Sequence, residues 1–156
     1  MVVWVLVGVT ALPAEIQEER GEIMRATGAF EVRLSPLELS ETAAGTEISR
    51  MSIDKEFSGD LAATSRGEML SGGSPASGSA GYVAIERVTG ELLGRNGSFM
   101  LQHFATMSSG AQSQTIEVVP GSGTGGLEGL TGTMTIEISG GDHSYEFEFA
   151  LPADDT

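Results

Sequence analysis

Thr89-Gly90-Glu91-Leu92-Leu93-Gly94-Arg95-Asn96-Gly97-Ser98-Phe99 joins two alternating or apolar runs, Gly81-Tyr82-Val83-Ala84-Ile85-Glu86-Arg87-Val88 before it and Ser98-Phe99-Met100-Leu101-Gln102-His103 after it. Period-two runs read as strands. The glycines between them supply the positive φ angles and bulges that a tight strand reversal needs. The same frame recurs twice, as Gly59-Asp60-Leu61 leading to Gly67-Glu68-Met69 and as Gly126-Leu127-Glu128-Gly129 leading to Gly132-Thr133-Met134. Three copies predict three hairpins and a chain that is mostly antiparallel sheet.

Outward from these copies the alternation continues. Gly28, Phe30, Val32 and Leu34 share one face, opposite Thr27, Glu31 and Arg33; Met51, Ile53 and Phe57 alternate with Ser52, Asp54 and Glu56. Residues 35–46, with Pro36 and Ala43-Ala44-Gly45, read as a solvated connection and a candidate lid. Residues 71–80 are Gly/Ser-rich and predict a flexible loop. Residues 114–119, 132–139 and 143–151 supply the remaining strands, with Gly140-Gly141-Asp142 as a short hairpin loop. The count is about eight strands, the number whose closed barrel has room for side chains or one small ligand. No stretch has helical periodicity.

The chain has 156 residues, one domain's worth, with 22 glycines, 5 prolines and 40% apolar residues, a composition that folds. It has no cysteine, which excludes disulfides, thiolate catalysis and thiolate metal sites and leaves the cytoplasm as the default compartment. The formal charge is −14, and the eight cations, seven Arg and Lys55, are scattered singly. Nucleic acid is excluded as a partner, since backbone binding needs clustered cations, and no basic membrane-surface patch is present. Gly121-Ser122-Gly123-Thr124-Gly125-Gly126 matches a dinucleotide-binding spacing, but turn and strand follow where a helix is required. No cofactor is expected.

Met1-Val2-Val3-Trp4-Val5-Leu6-Val7-Gly8-Val9-Thr10-Ala11-Leu12 is apolar, precedes Pro13-Ala14, and lacks a basic residue in front of it. It is shorter than the about 20 residues that span a bilayer. Glu18-Glu19-Arg20-Gly21-Glu22-Ile23-Met24 back-translates to a purine run ahead of a start codon, the pattern of a ribosome-binding site. The expected organisation is therefore an extension over residues 1–23 outside the fold, one barrel domain over residues 24–151, and a short acidic tail over residues 152–156. The alternative is a signal peptide ending near Ala14, which would make the protein secreted.

Met24-Arg25-Ala26-Thr27-Gly28-Ala29-Phe30-Glu31-Val32, Gly67-Glu68-Met69-Leu70, Gly78-Ser79-Ala80-Gly81-Tyr82-Val83-Ala84-Ile85-Glu86, Gly94-Arg95-Asn96-Gly97-Ser98-Phe99 with Gln102-His103, and Val119-Pro120-Gly121-Ser122-Gly123-Thr124-Gly125 resemble, in order and spacing, domain-of-unknown-function family 3224. The resemblance implies an all-β fold, a closed antiparallel barrel similar to allene oxide cyclase, and a start near Met24. It assigns no catalytic residue, and fold alone does not assign a function.

The residues able to carry chemistry are few. His103 and His143 are the only histidines, and two imidazoles make a poor metal site without a third ligand such as Glu86 or Glu68; no metal is expected. Alternation puts Tyr82, Ala84 and Glu86 on one face and Val83, Ile85 and Arg87 on the other, so one charge faces the barrel interior. An interior Glu86 needs a partner or a raised pKa, either of which suits a general base or a ligand anchor; an interior Arg87 would suit a carboxylate ligand. His143, Tyr145, Phe147, Phe149 and Leu151 share an inward face, with His143 at a barrel end and the Tyr145 hydroxyl able to point at a ligand. Tyr82, Glu86, His103, His143 and Tyr145 are the candidate ligand-binding residues, and Glu86, His103 and Tyr82 the candidate catalytic ones. Three functions follow: a barrel that binds a small, partly apolar or carboxylate ligand; a cyclase- or isomerase-like enzyme with a buried carboxylate; and a structural or homo-oligomer-forming barrel with an apolar outer patch.

Overall fold

The structure, a computed structural model, describes residues 21–153; the apolar segment within residues 1–20 and the end of the acidic tail lie outside them. Nine strands follow in order: β1 (Met24–Leu37), β2 (Ile48–Gly59), β3 (Leu61–Ser74), β4 (Ser79–Leu92), β5 (Arg95–Ser108), β6 (Ala111–Val118), β7 (Thr124–Gly125), β8 (Thr131–Ser139) and β9 (Asp142–Ala150). The spatial order runs β4-β3-β2-β1-β9-β8-β6-β5, and β4 pairs again with β5. Every pairing is antiparallel, so eight strands close into one barrel. The two-residue β7 adds to the β5 wall.

Alternation decides what fills the barrel. Inward residues near the turns at Asp60 and Leu93 are fully buried, among them Leu61, Leu92, Phe99, Leu101, Phe147 and Phe149. Phe147 stacks between Phe99 and Phe149, with ring centroids 5.7 and 5.2 Å apart. This end is closed. Toward the turns at residues 38–47, 75–78, 109–110 and 140–141, the inward residues Val32, Met51, Met69, Tyr82, Met107 and Ile136 are only half-buried, and Leu34 and Gln114 are exposed. The opposite end is the more solvent-exposed one.

Two of the three glycine frames form the expected reversals, β2–β3 and β4–β5. The third does not. Gly126 to Leu130 make successive turns between β7 and β8, and β6 meets β8 only at Glu117–Thr133. Leu127 and Leu130, each 1% exposed, turn inward as part of the core instead of joining two paired strands. Gly97 permits this crossing, because a Cβ there would overlap the Thr124 carbonyl oxygen and approach Leu127 Cγ to 3.2 Å.

The Gly/Ser-rich residues 71–80 are also mostly strand. Gly72–Gly81, Gly73–Ala80 and Ser74–Ser79 continue the β3–β4 ladder, and one 3-10 turn over Pro75–Ser77 reverses the chain. β1 runs on to Leu37, so the connection to β2 is shorter than the composition of residues 35–46 predicts. No helix among the described residues is long and apolar enough to cross a membrane.

Candidate functional site

At the level where fully buried inward residues give way to half-buried ones, four polar side chains meet. Glu86 faces inward from β4 with its side chain 0% exposed. Its Oε1 accepts from Lys55 Nζ on β2 at 2.6 Å and from His103 Nε2 on β5 at 2.8 Å; its Oε2 accepts from Ser65 Oγ on β3 at 2.5 Å. All four residues are buried. Lys55 Nζ also lies 5.1 Å from the Phe30 ring centroid and 5.7 Å from that of Phe57, within reach of cation–π attraction.

Local sequence explains the convergence. Lys55 stands in the inward phase between Ile53 and Phe57, Ser65 between Ala63 and Gly67, and Glu86 between Ala84 and Val88. Gly67 pairs with Glu86 across the β3–β4 ladder. A Cβ at Gly67 would overlap the Ile85 carbonyl oxygen and come within 2.6 Å of Glu86 Cα. The absent side chain is what lets the carboxylate lie against β3.

Burial alone would raise the carboxyl pKa of Glu86. The His103 hydrogen bond and the Lys55 charge outweigh it and bring the value down to about 2. The inward carboxylate thus has a partner and stays ionised, in place of the raised pKa that an unpartnered one would show. An ionised carboxylate only accepts, so His103 Nε2 is the donor of this hydrogen bond. No buried side-chain nitrogen or oxygen among the described residues lacks a partner.

Tyr82 is next to this cluster, its ring centroid 6.4 Å from that of His103. Its hydroxyl accepts from Gln114 Nε2 at 2.6 Å, and burial raises its pKa, so the phenol keeps its proton as a donor. Glu86, His103 and Tyr82 are thus brought together. Arg87 points outward to Ser98 Oγ at 2.9 Å. His143 stands apart on β9, half-buried, packed on Phe30 with centroids 5.1 Å apart. Tyr145 lies deeper toward the closed end, where its hydroxyl donates to the Ser58 carbonyl at 3.0 Å and accepts from the Leu61 N–H at 2.9 Å.

Two members were missed from sequence, Lys55 and Ser65. The signal for Lys55 was present: the only lysine of the chain occupies an inward phase between two apolar residues. Among the described residues no group of three or more His, Cys, Asp or Glu converges as a metal site would require.

Two concavities open on the outer wall. One, of about 580 Å³, is bordered by Leu70, Val83, Ile85 and Phe104; the other, of about 430 Å³, by charged residues including Glu31, Arg33, Asp54 and Arg66.

A search of curated proteins returned no match. Among solved structures, a protein of unknown function from the DUF3224 family of Shewanella oneidensis MR-1, determined at 1.84 Å, is 49% identical and superposes with a TM-score of 0.77. The match covers 85% of this chain and all of that one. The family model described as "Protein of unknown function (DUF3224)" matches residues 26–149, nearly the whole barrel, and the chain belongs to that family.

Proposed function

We propose that the barrel binds one small, partly apolar molecule in its open end, with a polar head above Lys55, Glu86 and His103. The observation that carries this reading is the change of burial along the lumen, from a packed aromatic end to a half-buried end, with a buried ion pair at the boundary. A barrel serving only as a scaffold would gain as much or more from apolar residues at these positions, since buried ion pairs seldom outperform well-packed hydrocarbon. The half-buried Met51, Met69 and Met107 form an adaptable apolar wall. Lys55 and Glu86 offset each other's charge, so the fitting head is an uncharged one that hydrogen-bonds His103 Nδ1 and the Tyr82 hydroxyl, as an alcohol, a phenol or a protonated carboxylic acid does.

The test is native mass spectrometry of protein from its own host, with octanol, octanoic acid and phenol as thermal-shift probes. Excess native mass or a raised Tm is expected, and Met69→Trp, which fills the opening, is expected to remove either. A bare subunit mass with no Tm shift from any probe would refute the reading.

The hydrogen bond from His103 to Glu86 favours a second reading, proton-transfer catalysis. A carboxylate held near 2 is a poor base. In this reading His103 Nδ1 takes the proton, Glu86 positions the ring, and Tyr82 supplies the acid. Conversion of an enolisable ketone with a bell-shaped pH profile, lost in His103→Gln, would support it; turnover unchanged in that variant would exclude it.

A further inference from the structure

The outer wall of β3 to β6 holds the concavity of about 580 Å³, a volume within the about 300–1,000 Å³ of small-molecule sites. Leu70, Val83 and Phe104 lie side by side in one register row and are 45, 50 and 60% exposed. Ile85, 55% exposed, stands in the next row between Glu68 and Gln102. Contiguous apolar surface rimmed by polar residues marks an interaction site. Four strands about 4.8 Å apart and two rows about 7 Å apart span far less than the about 800 Å² that each partner buries in a stable protein interface. The wall therefore fits a small occupant and not a second folded chain.

Charge decides the chemistry of that occupant. Among the described residues no arginine or lysine borders the concavity, and the carboxylates that border it are those of Glu68 and Glu117. Glu68 is held by Arg50, which binds it through Nε and Nη2 at 2.8 Å each. Glu117 makes no ion pair with any described residue. It ends the row that runs from Glu68 through Ile85 and Gln102, and it lies diagonal to Phe104, whose direct partner on β6 is Thr115. A chain of net charge −14 draws cations toward such a wall and turns anions away. We propose that this concavity binds a small amphipathic amine, its apolar body across Leu70, Val83 and Ile85 and its ammonium between the Glu117 carboxylate and the Phe104 ring. Diagonal neighbours on one sheet face are close enough for a single cation to meet both. The site faces away from the lumen, so it stands apart from any ligand bound there.

Phenylbutylamine, phenylbutanol and phenylbutyrate share one apolar body and differ in the head, which makes them the probes. Titrated into the isotope-labelled full chain at pH 7, the amine is expected to give saturable amide shifts at Val83, Ile85, Phe104 and Glu117. The methyl signals of the inward Met51 and Met107 are expected to stay in place. The alcohol should bind about 5-fold more weakly than the amine, the worth of one exposed ion pair, and the carboxylate weaker still. Glu117→Gln should bring the amine down to the affinity of the alcohol, and Phe104→Ala should weaken both; each residue is exposed, so the amide spectrum of either variant should otherwise match that of the parent. Equal binding of the carboxylate, amine shifts that fail to saturate or that spread over the acidic surface, or a Glu117→Gln variant that binds the amine as well as the parent would each overturn the proposal.

Discussion

Replacing Lys55 by Met removes one partner from a pair that is out of contact with water. The Glu86 side chain is 0% exposed and that of Lys55 5%, so no solvent can substitute for the ammonium. Ser65 and His103 still donate to the carboxylate, which places the cost at the lower end of the about 3–5 kcal/mol for breaking a buried pair. At about 2–4 °C per kcal/mol for a domain of this size, Tm should fall by about 6–12 °C. Methionine keeps most of the hydrocarbon volume against Phe30 and Phe57, so little of the loss arises from packing. The companion variant is Lys55→Met with Glu86→Gln, which removes both charges and keeps a hydrogen-bonding amide beside His103 and Ser65. It should recover about half or more of the loss, so that the double variant costs well below the sum of the two singles. The assay is urea unfolding at pH 7 on all four members of the cycle. A single variant that costs less than about 1 kcal/mol, or a double variant that loses the full sum of the two singles, would refute the argument that the pair is electrostatically closed.

Three further outcomes are expected. Glu86 titrates at about 2 in the folded chain against 4.5 for a free carboxyl, so its contribution is complete above about pH 4.5 and is lost as pH falls toward 2; Glu86→Gln should flatten the stability profile between pH 5 and pH 3 by about 2 kcal/mol, measured by urea unfolding at pH 5, 4 and 3. Gly67→Ala forces a methyl into the Ile85 carbonyl and the Glu86 backbone; it should cost about 2–4 kcal/mol, read as a Tm drop, and a neutral outcome would show that β3 can move away from β4. Tyr145→Phe deprives the Leu61 N–H and the Ser58 carbonyl of their shared partner; it should cost about 1–3 kcal/mol by urea unfolding, and a cost below about 0.5 would mean that water replaces the hydroxyl.

The barrel was legible because period two survives wherever one face of a strand is buried, and nearly all of this chain is such strand. The third glycine frame misled for a local reason. Its glycines serve turns and a close crossing, and a sequence pattern does not say whether the runs on either side will pair with each other. Residues 71–80 misled in the opposite way: their composition is poor in strand formers, yet the ladder between two long neighbours imposes extended geometry on them. At the site, the inward phase of Glu86 was readable from its own strand, whereas its partners come from three other strands. Only register places Lys55, Ser65 and His103 around one carboxylate, and register is a property of the assembled sheet.

The pairing of β1 with β9 also bears on how the chain is made. Met24 lies opposite Phe149, so β1 waits for β9 to be synthesised before the ring can shut. Until then β1 presents an open hydrogen-bonding edge to the crowded surroundings of a polysome. The closing step joins segments more than a hundred residues apart, the kind of late, nonlocal event that makes a nascent chain slow to mature and dependent on protection while it is synthesised.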